Sequence, residues 1–141
     1  MQVIDKSTVV LYDALSDEQK KLADICDIDV LEKGECSHHL VDSVVQQIPN
    51  LNFAYRDNQY HLVWTPLTGA IENNNLYLVK KLLDCGADPD AHIAGDAPAL
   101  WDLQYLWNDY TDAEKESQES EIRYEMALAL LDHGADPFSI P

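Results

Sequence analysis

Four side chains in the first third of the chain could bind a metal ion. Cys36, His38 and His39 lie close together, and Cys26 precedes them. Thiolates and imidazoles are the usual ligands of structural zinc, but such sites are built from spaced pairs, and no C-x-x-C pair or spaced histidine pair accompanies these residues. Because adjacent side chains on a helix point about 100° apart, His38 and His39 would not face the same ion. The sequence therefore predicts no metal site.

Two groups of acidic residues could supply carboxylates for calcium binding or for acid–base catalysis. The first group is Asp24, Asp27, Asp29, Glu32, Glu35 and Asp42, and the second is Glu114, Glu116, Glu119 and Glu121. The first group lacks the alternating order and the glycine of a calcium loop, so a solvated face is the better interpretation. Nothing apolar in the sequence surrounds the second group to shift a pKa, and no nucleophile motif or phosphate-binding glycine loop is visible. We therefore expect no catalytic residue, no cofactor and no enzymatic activity.

The elements that would position a site are best defined by residues 64–91, WTPLTGAIENNNLYLVKKLLDCGADPDA. Thr65 can cap a helix through its hydroxyl, and Pro66 suits the first helical turn, where its missing N–H is no loss. Apolar residues recur at helical spacing on both sides of the three asparagines 73–75, which predicts two helices separated by a break. Gly86 follows, where a left-handed helix end is expected. The second helix would bury Leu76, Leu78, Val79, Leu82 and Leu83.

This stretch resembles the ankyrin repeat, whose pattern runs T-P-L-H, then a second helix, then G-A-D. Thr68 stands where the family has histidine, and Asn74 stands where it has glycine between the helices, a conformation that asparagine tolerates. The resemblance implies that partners dock on a concave surface built from hairpin tips and first helices. One such unit has too little core to fold alone, so neighbouring repeats are expected.

A second copy of the pattern lies at the C-terminal end. Residues 128–141, LALLDHGADPFSIP, match LVKKLLDCGADPDA, and their glycines lie 48 residues apart (134 − 86). The usual period is about 33 residues, so about fifteen residues are inserted. The sequence APA at 97–99 lies 32 residues after TPL at 65–67 (97 − 65), which places the insertion between the two helices of this repeat, at residues 108–121. We interpret it as a solvated excursion or as polar helix extensions, and as dispensable for folding.

A fainter copy precedes the best-matching repeat. Residues 37–48, SHHLVDSVVQQI, have the apolar spacing of a helix. An earlier helix would end at Cys26, with Ser16 as N-cap and with Leu22 and Ile25 facing inward beside Cys26. The polar run YRDNQYH from Tyr55 would form a long hairpin loop, and residues 1–15 would add a short capping helix or strand.

We therefore predict a single all-α domain, an ankyrin-repeat solenoid of about three repeats. Residues 1–61 would form a capping segment and a degenerate first repeat. Residues 62–94 would form the best-matching repeat, and residues 95–141 a C-terminal repeat with the insertion between its two helices.

The chain is strongly acidic, with 26 acidic against 9 basic residues and a formal net charge of −17. Such a field speeds association with basic partners and opposes approach to nucleic acids and anionic membranes, so we expect neither as a direct partner. Acidity that serves only solubility is the alternative interpretation. No signal peptide or transmembrane run is visible, and the three cysteines are odd in number and unpatterned, so we expect a cytoplasmic protein with reduced thiols. We expect it to be a monomer when free.

Aromatic and acidic side chains near the hairpins and first helices are the candidates for protein binding, because aromatic anchors surrounded by acids suit a basic partner. Packing between repeats is the alternative for the tryptophans, above all for Trp64 and Trp101. The predicted partner-binding residues are Tyr60, His61, Glu72, Asn73, His92, Asp102, Tyr105, Trp107, Asp109 and Asp112.

These features predict a non-catalytic protein-binding module. Its most concrete form is an inhibitor or immunity protein that binds and blocks a basic partner such as a nuclease toxin, because the chain resembles small acidic ankyrin proteins encoded beside toxins in bacterial competition systems. An adaptor or assembly factor that recruits a partner without inhibiting it is one alternative. An enzyme with an unrecognised site is the other.

Overall fold

The computed structural model of the chain is mainly helical. It describes residues 3–59, 61–96, 98–106 and 113–137, with the backbone alone at 102, 104–106 and 113–117. The described α-helices are α1 (Asp17–Cys26), α2 (Val30–Lys33), α3 (His38–Gln46), α4 (Pro66–Glu72), α5 (Leu76–Asp84), α6 (Ala99–Leu106) and α7 (Ala113–Asp132). The described strands are β1 (Val3–Ile4), β2 (Val10–Leu11), β3 (Tyr55–Arg56), β4 (Val63–Trp64) and β5 (His92–Ile93). Among these helices, none combines the length and the apolar character needed to cross a lipid bilayer.

Helices α4 and α5 form where the sequence predicts them. Thr65 Oγ1 accepts a hydrogen bond from the Thr68 backbone N–H, and Thr68 Oγ1 accepts one from the Thr65 N–H, so threonine at the usual histidine position completes the cap. Asn74 has a φ of 61° and turns the chain between the helices. Asn75 Oδ1 then accepts a hydrogen bond from the Leu78 N–H and starts α5. The predicted break between two helices is therefore confirmed.

The ends of the helices also follow the sequence. Gly86 after α5 and Gly134 after α7 have φ values of 101° and 93°, the left-handed conformation expected of both. Cys85 is exposed beside Gly86, whereas Cys26 is buried at the end of α1, as predicted. All three cysteines are free thiols.

The helices pack as two parallel rows. Helix α4 lies between α1 and α6 in one row, and α5 lies between α3 and α7 in the other, while α1 also packs on α3, α4 on α5 and α6 on α7. One continuous core runs between the rows from α1 to α7, because the inward faces of all six helices are apolar. Its fully buried side chains include Leu22, Val41, Val45, Ile71, Leu78, Val79, Leu82, Leu103, Met126 and Leu130.

The first helical pair begins with the cap that the sequence indicates. Ser16 Oγ accepts a hydrogen bond from the Gln19 N–H, and the Gln19 side chain accepts one from the Ser16 N–H, so α1 starts with a complete capping box. Ser37 starts α3 in a similar way. The short helix α2, which Asp29 caps, lies between them and was not predicted.

The prediction of an all-α fold is corrected by two small sheets. Strand β1 pairs in parallel with β5, and β2 pairs in parallel with β3, which forms an antiparallel hairpin with β4. The N-terminal segment therefore adds a strand to each of two loops that connect helical pairs. This strand pairing agrees with the expectation of a short capping helix or strand at residues 1–15. The added strands also cover loop edges that would otherwise expose unpaired backbone groups.

The prediction for the insertion at residues 108–121 is corrected in part. Residues 107–112 lie outside the described range, but residues 113–121 belong to α7, so the expectation of polar helix extension holds there. The expectation that the segment is fully solvated is wrong at Glu119, which is only 4% exposed and lies 3.1 Å from the equally buried Arg123. Part of the predicted insertion therefore belongs to the core.

The loops that follow the helical pairs are joined by matching hydrogen bonds. Asn52 Oδ1 accepts from the Asp88 N–H at 2.9 Å, and the Asp90 carboxylate accepts from the Asp136 N–H at 3.2 and 3.1 Å. Within its own loop, Asn50 holds the Asn52 N–H as Asp88 holds the Asp90 N–H. The sequence N-x-N at 50–52 thus has the same role as D-x-D at 88–90, one helical pair later.

Candidate functional site

A pocket of about 440 Å³ opens on the row that contains α1 and α4, beside the β3–β4 hairpin. We call it the groove pocket. Its walls come from α1 and its end, from the end of α4, from the hairpin and from Tyr12. The residues that line it are Tyr12, Ala23, Asp24, Cys26, Asp27, Tyr55, Asp57, Asn58, Gln59, Leu62, Trp64, Gly69, Glu72 and Asn73. This set contains four carboxylates and no lysine, arginine or histidine.

The floor of the groove pocket depends on the close approach of α1 to α4. A Cβ atom on Gly69 would lie 3.1 Å from the Cys26 Cβ, so only glycine allows this separation without a shift of the helices. Asn73 Nδ2 donates to the Cys26 carbonyl at 2.7 Å, and the Cys26 thiol approaches the Pro66 carbonyl at 3.4 Å. Burial raises the pKa of Cys26, which keeps this thiol protonated. The floor is therefore held by neutral hydrogen bonds.

Tyr55 lies at the bottom of the groove pocket and is only 5% exposed. Its ring packs near Phe53, with 6.1 Å between centroids, and its Oη would lie 3.9 Å from a Cβ on Gly69. Within the described part of the chain, no group forms a hydrogen bond with this hydroxyl. Burial raises the pKa of Tyr55, and the negative charges of Asp27 and Asp57 raise it further, so the hydroxyl stays protonated at neutral pH.

Two of the four carboxylates already accept hydrogen bonds from aromatic side chains. Asp24 accepts from the Tyr12 hydroxyl at 2.7 Å, a bond that raises the pKa of Tyr12 to about 12. Asp57 accepts from the Trp64 indole N–H at 2.8 Å, which fixes the orientation of that ring. Both donors are neutral, so neither hydrogen bond brings a positive charge to the pocket.

The other two carboxylates, Asp27 and Glu72, are exposed at the rim of the groove pocket. Among the described residues, neither has a hydrogen bond or an ion pair through its side chain. The described lining of the groove pocket therefore contains four carboxyl groups and no lysine, arginine or histidine, an environment that attracts a cationic group.

Of the ten predicted partner-binding residues, four have described side chains, two are placed by their backbone alone, and four lie outside the described residues. Glu72 and Asn73 line the groove pocket, and His61, with a φ of 57°, lies at the adjacent hairpin with its carbonyl bound to Arg56 at 2.6 Å. His92 lies elsewhere, on β5, and its Nδ1 is 2.9 Å from the Asp90 carbonyl oxygen.

Asp102 and Tyr105 are placed only by their backbone, on α6, which belongs to the same row as α1 and α4. Tyr60, Trp107, Asp109 and Asp112 lie outside the described residues.

Sequence reasoning missed the centre of the site. The sequence places Tyr55 with the aromatic residues of the first hairpin but not among the predicted contacts, and Asp27 is interpreted as part of a solvated face. The signal that could have found them is the resemblance itself, because the end of a first helix and the base of the adjoining hairpin both contribute to the concave surface of such repeats.

His38, one of the residues considered as metal ligands, has other contacts. The His38 ring stacks on Tyr77 with 3.6 Å between centroids, and its Nε2 lies 3.4 Å from Glu35. The part of the chain that the structure describes contains no group of three or more histidine, cysteine or acidic side chains able to hold a metal ion.

Comparison with protein-family models decides the identity of the repeat. Residues 64–93 match the ankyrin repeat. The chain contains an ankyrin repeat. The match covers β4, α4, α5 and β5, so the resemblance in TPL, the asparagine turn and GAD is confirmed by the family and by the geometry. No curated protein and no solved structure matches the chain. Ankyrin repeats are protein-interaction modules and are generally non-catalytic.

Proposed function

We propose that the protein is a non-catalytic binding module that holds a basic partner protein against its groove pocket and blocks the partner's activity. The observation that carries this proposal is the set of four carboxylates in a lining without a basic side chain. On an ankyrin scaffold, such a surface suits recognition of another protein better than chemistry, because the one thiol of its described lining, Cys26, is buried and protonated and lies against the Pro66 carbonyl.

The proposal includes a solenoid of about three repeats, 1–61, 62–94 and 95–141. Three helical pairs stacked in two rows support it, with α1, α4 and α6 as first helices and α3, α5 and α7 as second helices. The matching hydrogen bonds of Asn52 and Asp90 support it as well, because they join each loop to the next in the same way. In this arrangement the groove pocket lies between the first helices of repeats one and two.

Electrostatics supports a basic partner. A net charge of −17 raises the rate of encounter with a positively charged protein and opposes nucleic acids and anionic lipid. A nuclease toxin fits this description, because an enzyme that binds nucleic acid needs a basic substrate groove, and an acidic surface could cover that groove. We place this activity in the cytoplasm, where the three free thiols would stay reduced.

The C-terminal repeat would extend the same surface. Helix α6 continues the row of α1 and α4, which favours the predicted contribution of Asp102 and Tyr105. We retain Trp107, Asp109 and Asp112 as predicted contacts that follow α6 in the chain.

The test uses the protein encoded by the neighbouring gene, purified together with this chain. If that protein is basic, stopped-flow measurements should show an association rate that falls about tenfold or more as salt rises past about 0.1 M, whereas the dissociation rate should change less. A nuclease assay on the saturated complex should show loss of activity. A partner that stays active when saturated would replace inhibition with recruitment, and a partner that is acidic would refute the proposal.

A further inference from the structure

We propose that the groove pocket is a receptor for one arginine side chain of the partner, with the guanidinium bound by Asp27, Glu72 and the Tyr55 hydroxyl. This inference rests on the proposed binding function and names the chemical group that the module recognises. It rests on three features of the pocket: two exposed carboxylates, Asp27 and Glu72, without a partner among the described residues; a tyrosine hydroxyl at the floor to which no described group bonds; and aromatic walls.

The charge of the groove pocket selects a cation. Asp24 and Asp57 are held by neutral donors, and Asp27 and Glu72 have no partner in the described part of the chain. Four carboxylates that face one cavity repel one another, and a bound cation would relieve that repulsion.

The Tyr55 hydroxyl points to a ligand independently of the charge. Polar groups of a folded protein normally have a hydrogen-bond partner, either from the protein or from water. The Tyr55 residue is 95% buried (100 − 5) and lines the groove pocket, its Oη lies near the floor at Gly69, and no described group bonds to it. A ligand that reaches the floor with an N–H group would complete this hydrogen bond, because the hydroxyl oxygen can accept.

Arginine fits these requirements better than lysine. Its planar guanidinium carries five N–H donors, enough for two separated carboxylates and a hydroxyl at once, and it stacks on aromatic rings. Trp64 offers such a ring on the wall, held in place by its bond to Asp57. Lysine has a compact, strongly hydrated charge with three donors, so it would satisfy fewer of these groups.

The edge of the pocket favours a protein as the source of the guanidinium. Leu62 lines the groove pocket and is 50% exposed at the hairpin. An apolar side chain beside a charged pocket can contact residues that flank an arginine in a polypeptide, whereas a free cation would leave it in water.

The test is an NMR titration with a blocked pentapeptide, Gly-Gly-Arg-Gly-Gly, and with matched peptides that carry citrulline or lysine at the centre. The Trp64 indole N–H, assigned with W64F, reports on the pocket because it bonds to Asp57. The arginine peptide should shift this resonance in a saturable way, and the citrulline peptide, which has nearly the same shape without the charge, should not. The lysine peptide should bind several-fold more weakly. Equal shifts with citrulline, or no saturable shift with arginine, would overturn the inference.

Two sets of variants locate the binding. Y55F keeps the ring and should weaken arginine binding by about three- to tenfold through loss of one hydrogen bond. D27N with E72Q should weaken it by more than about tenfold, whereas D132N, an exposed charge outside the pocket, should have little effect. Circular dichroism checks folding. If Y55F does not fold, the exposed E72Q decides alone, and an unchanged affinity in E72Q would then overturn the inference.

The same variants separate this inference from the proposed function. If the basic partner binds the wild-type protein and all pocket variants with equal affinity, the arginine receptor is wrong and the binding module stands. If the arginine peptide binds as described but no basic partner does, the receptor stands and the proposed inhibitor is wrong.

Discussion

Carboxylates on the two rows of helices have different surroundings. On the row of α3, α5 and α7, Asp42 accepts a hydrogen bond from Tyr77 at 2.8 Å and lies 3.7 Å from Lys81 Nζ, and Asp84 lies 2.9 Å from His133 Nε2. On the row of α1 and α4, Asp27 and Glu72 have no such partner among the described residues. These two pairs of acids, one on each row, are therefore of the same chemical type but have different surroundings.

The difference teaches that net charge alone does not locate a binding surface. A carboxylate paired with a base or donor contributes to structure, whereas an unpaired one contributes repulsion to the fold and attraction to a partner. Residues at functional sites are often unfavourable for stability in this way. If this comparison is correct, replacement of paired acids should reduce stability, and replacement of groove acids should reduce only binding.

The largest expected effect is at Glu119. Replacement by alanine leaves Arg123 as a buried charge without its carboxylate, and the loss of one partner of a buried pair costs about 3–5 kcal/mol. Chemical denaturation should show a lower midpoint for E119A than for the wild type, whereas E121A, at an exposed position of the same helix, should change little. Equal midpoints for the two variants would mean that Glu119 is solvated, as the sequence had suggested.

A smaller loss is expected at Asp90, which joins two loops. Asp90 is 6% exposed and accepts the Asp136 N–H with both carboxylate oxygens. D90A should lower the free energy of unfolding by about 1 kcal/mol, because the Asp136 N–H loses this carboxylate as its acceptor. D90N retains one acceptor oxygen and should lose less. The control is D96A, at an exposed position. If D90A were as stable as D96A, the hydrogen bonds between Asp90 and Asp136 would not stabilise the connection between these loops.

The pair of His133 and Asp84 should give stability that depends on pH. A hydrogen bond to the Ala129 carbonyl, aided by Asp84, raises the pKa of His133, so folding favours its charged form. The contribution is therefore fully present below the unfolded value of about 6.5 and is lost as pH rises through the raised folded value.

Thermal melting of the wild type and H133Q should consequently differ more at pH 5.5 than at pH 8.5. The control is D96N, at an exposed position that does not contribute to the His133 shift, whose difference from the wild type should be much the same at both pH values. An H133Q difference that does not depend on pH would show that the bond to Asp84 forms equally well with neutral histidine.

Local signals explain how much of the fold could be predicted from sequence. Thr65, Asn74 and Gly86 act within a few residues of themselves through a cap, a turn and a helix end, so their positions specify the repeat without knowledge of the rest. The N-terminal strands could not be predicted in the same way. They are two residues long and pair with β3 and β5, far along the chain.

The candidate site was predictable only at its edge. Glu72 and Asn73 end a helix that the sequence defines, so their place beside the groove followed from the repeat. Tyr55 and Asp27 meet only because Gly69 lets α1 approach α4, a tertiary contact without a local pattern. The expectation of a solvated Glu119 was wrong for a related reason. A polar stretch of sequence gives no local sign that tertiary packing buries one of its side chains.

The smallest effect on stability is expected for the unpaired carboxylates of the groove pocket. This prediction tests the comparison between the two rows of helices most directly. D27N with E72Q removes two negative charges that have no partner among the described residues, so the free energy of unfolding should change by no more than about 0.5 kcal/mol, or rise as repulsion is relieved. The matched variant D42N with D84N removes the same charge from the other row and weakens the contacts to Tyr77, Lys81 and His133. It should therefore melt at a lower temperature.

Association with a basic partner should show the opposite order. If steering depends on where the charge lies, the groove variant should slow association more than the matched variant, although both have a net charge of −15 (−17 + 2). The difference should shrink as salt is added, because screening acts on both rows alike. Equal association rates for the two variants at low salt would mean that the whole acidic surface steers the partner, and the unpaired carboxylates of the groove would then have no special role in encounter.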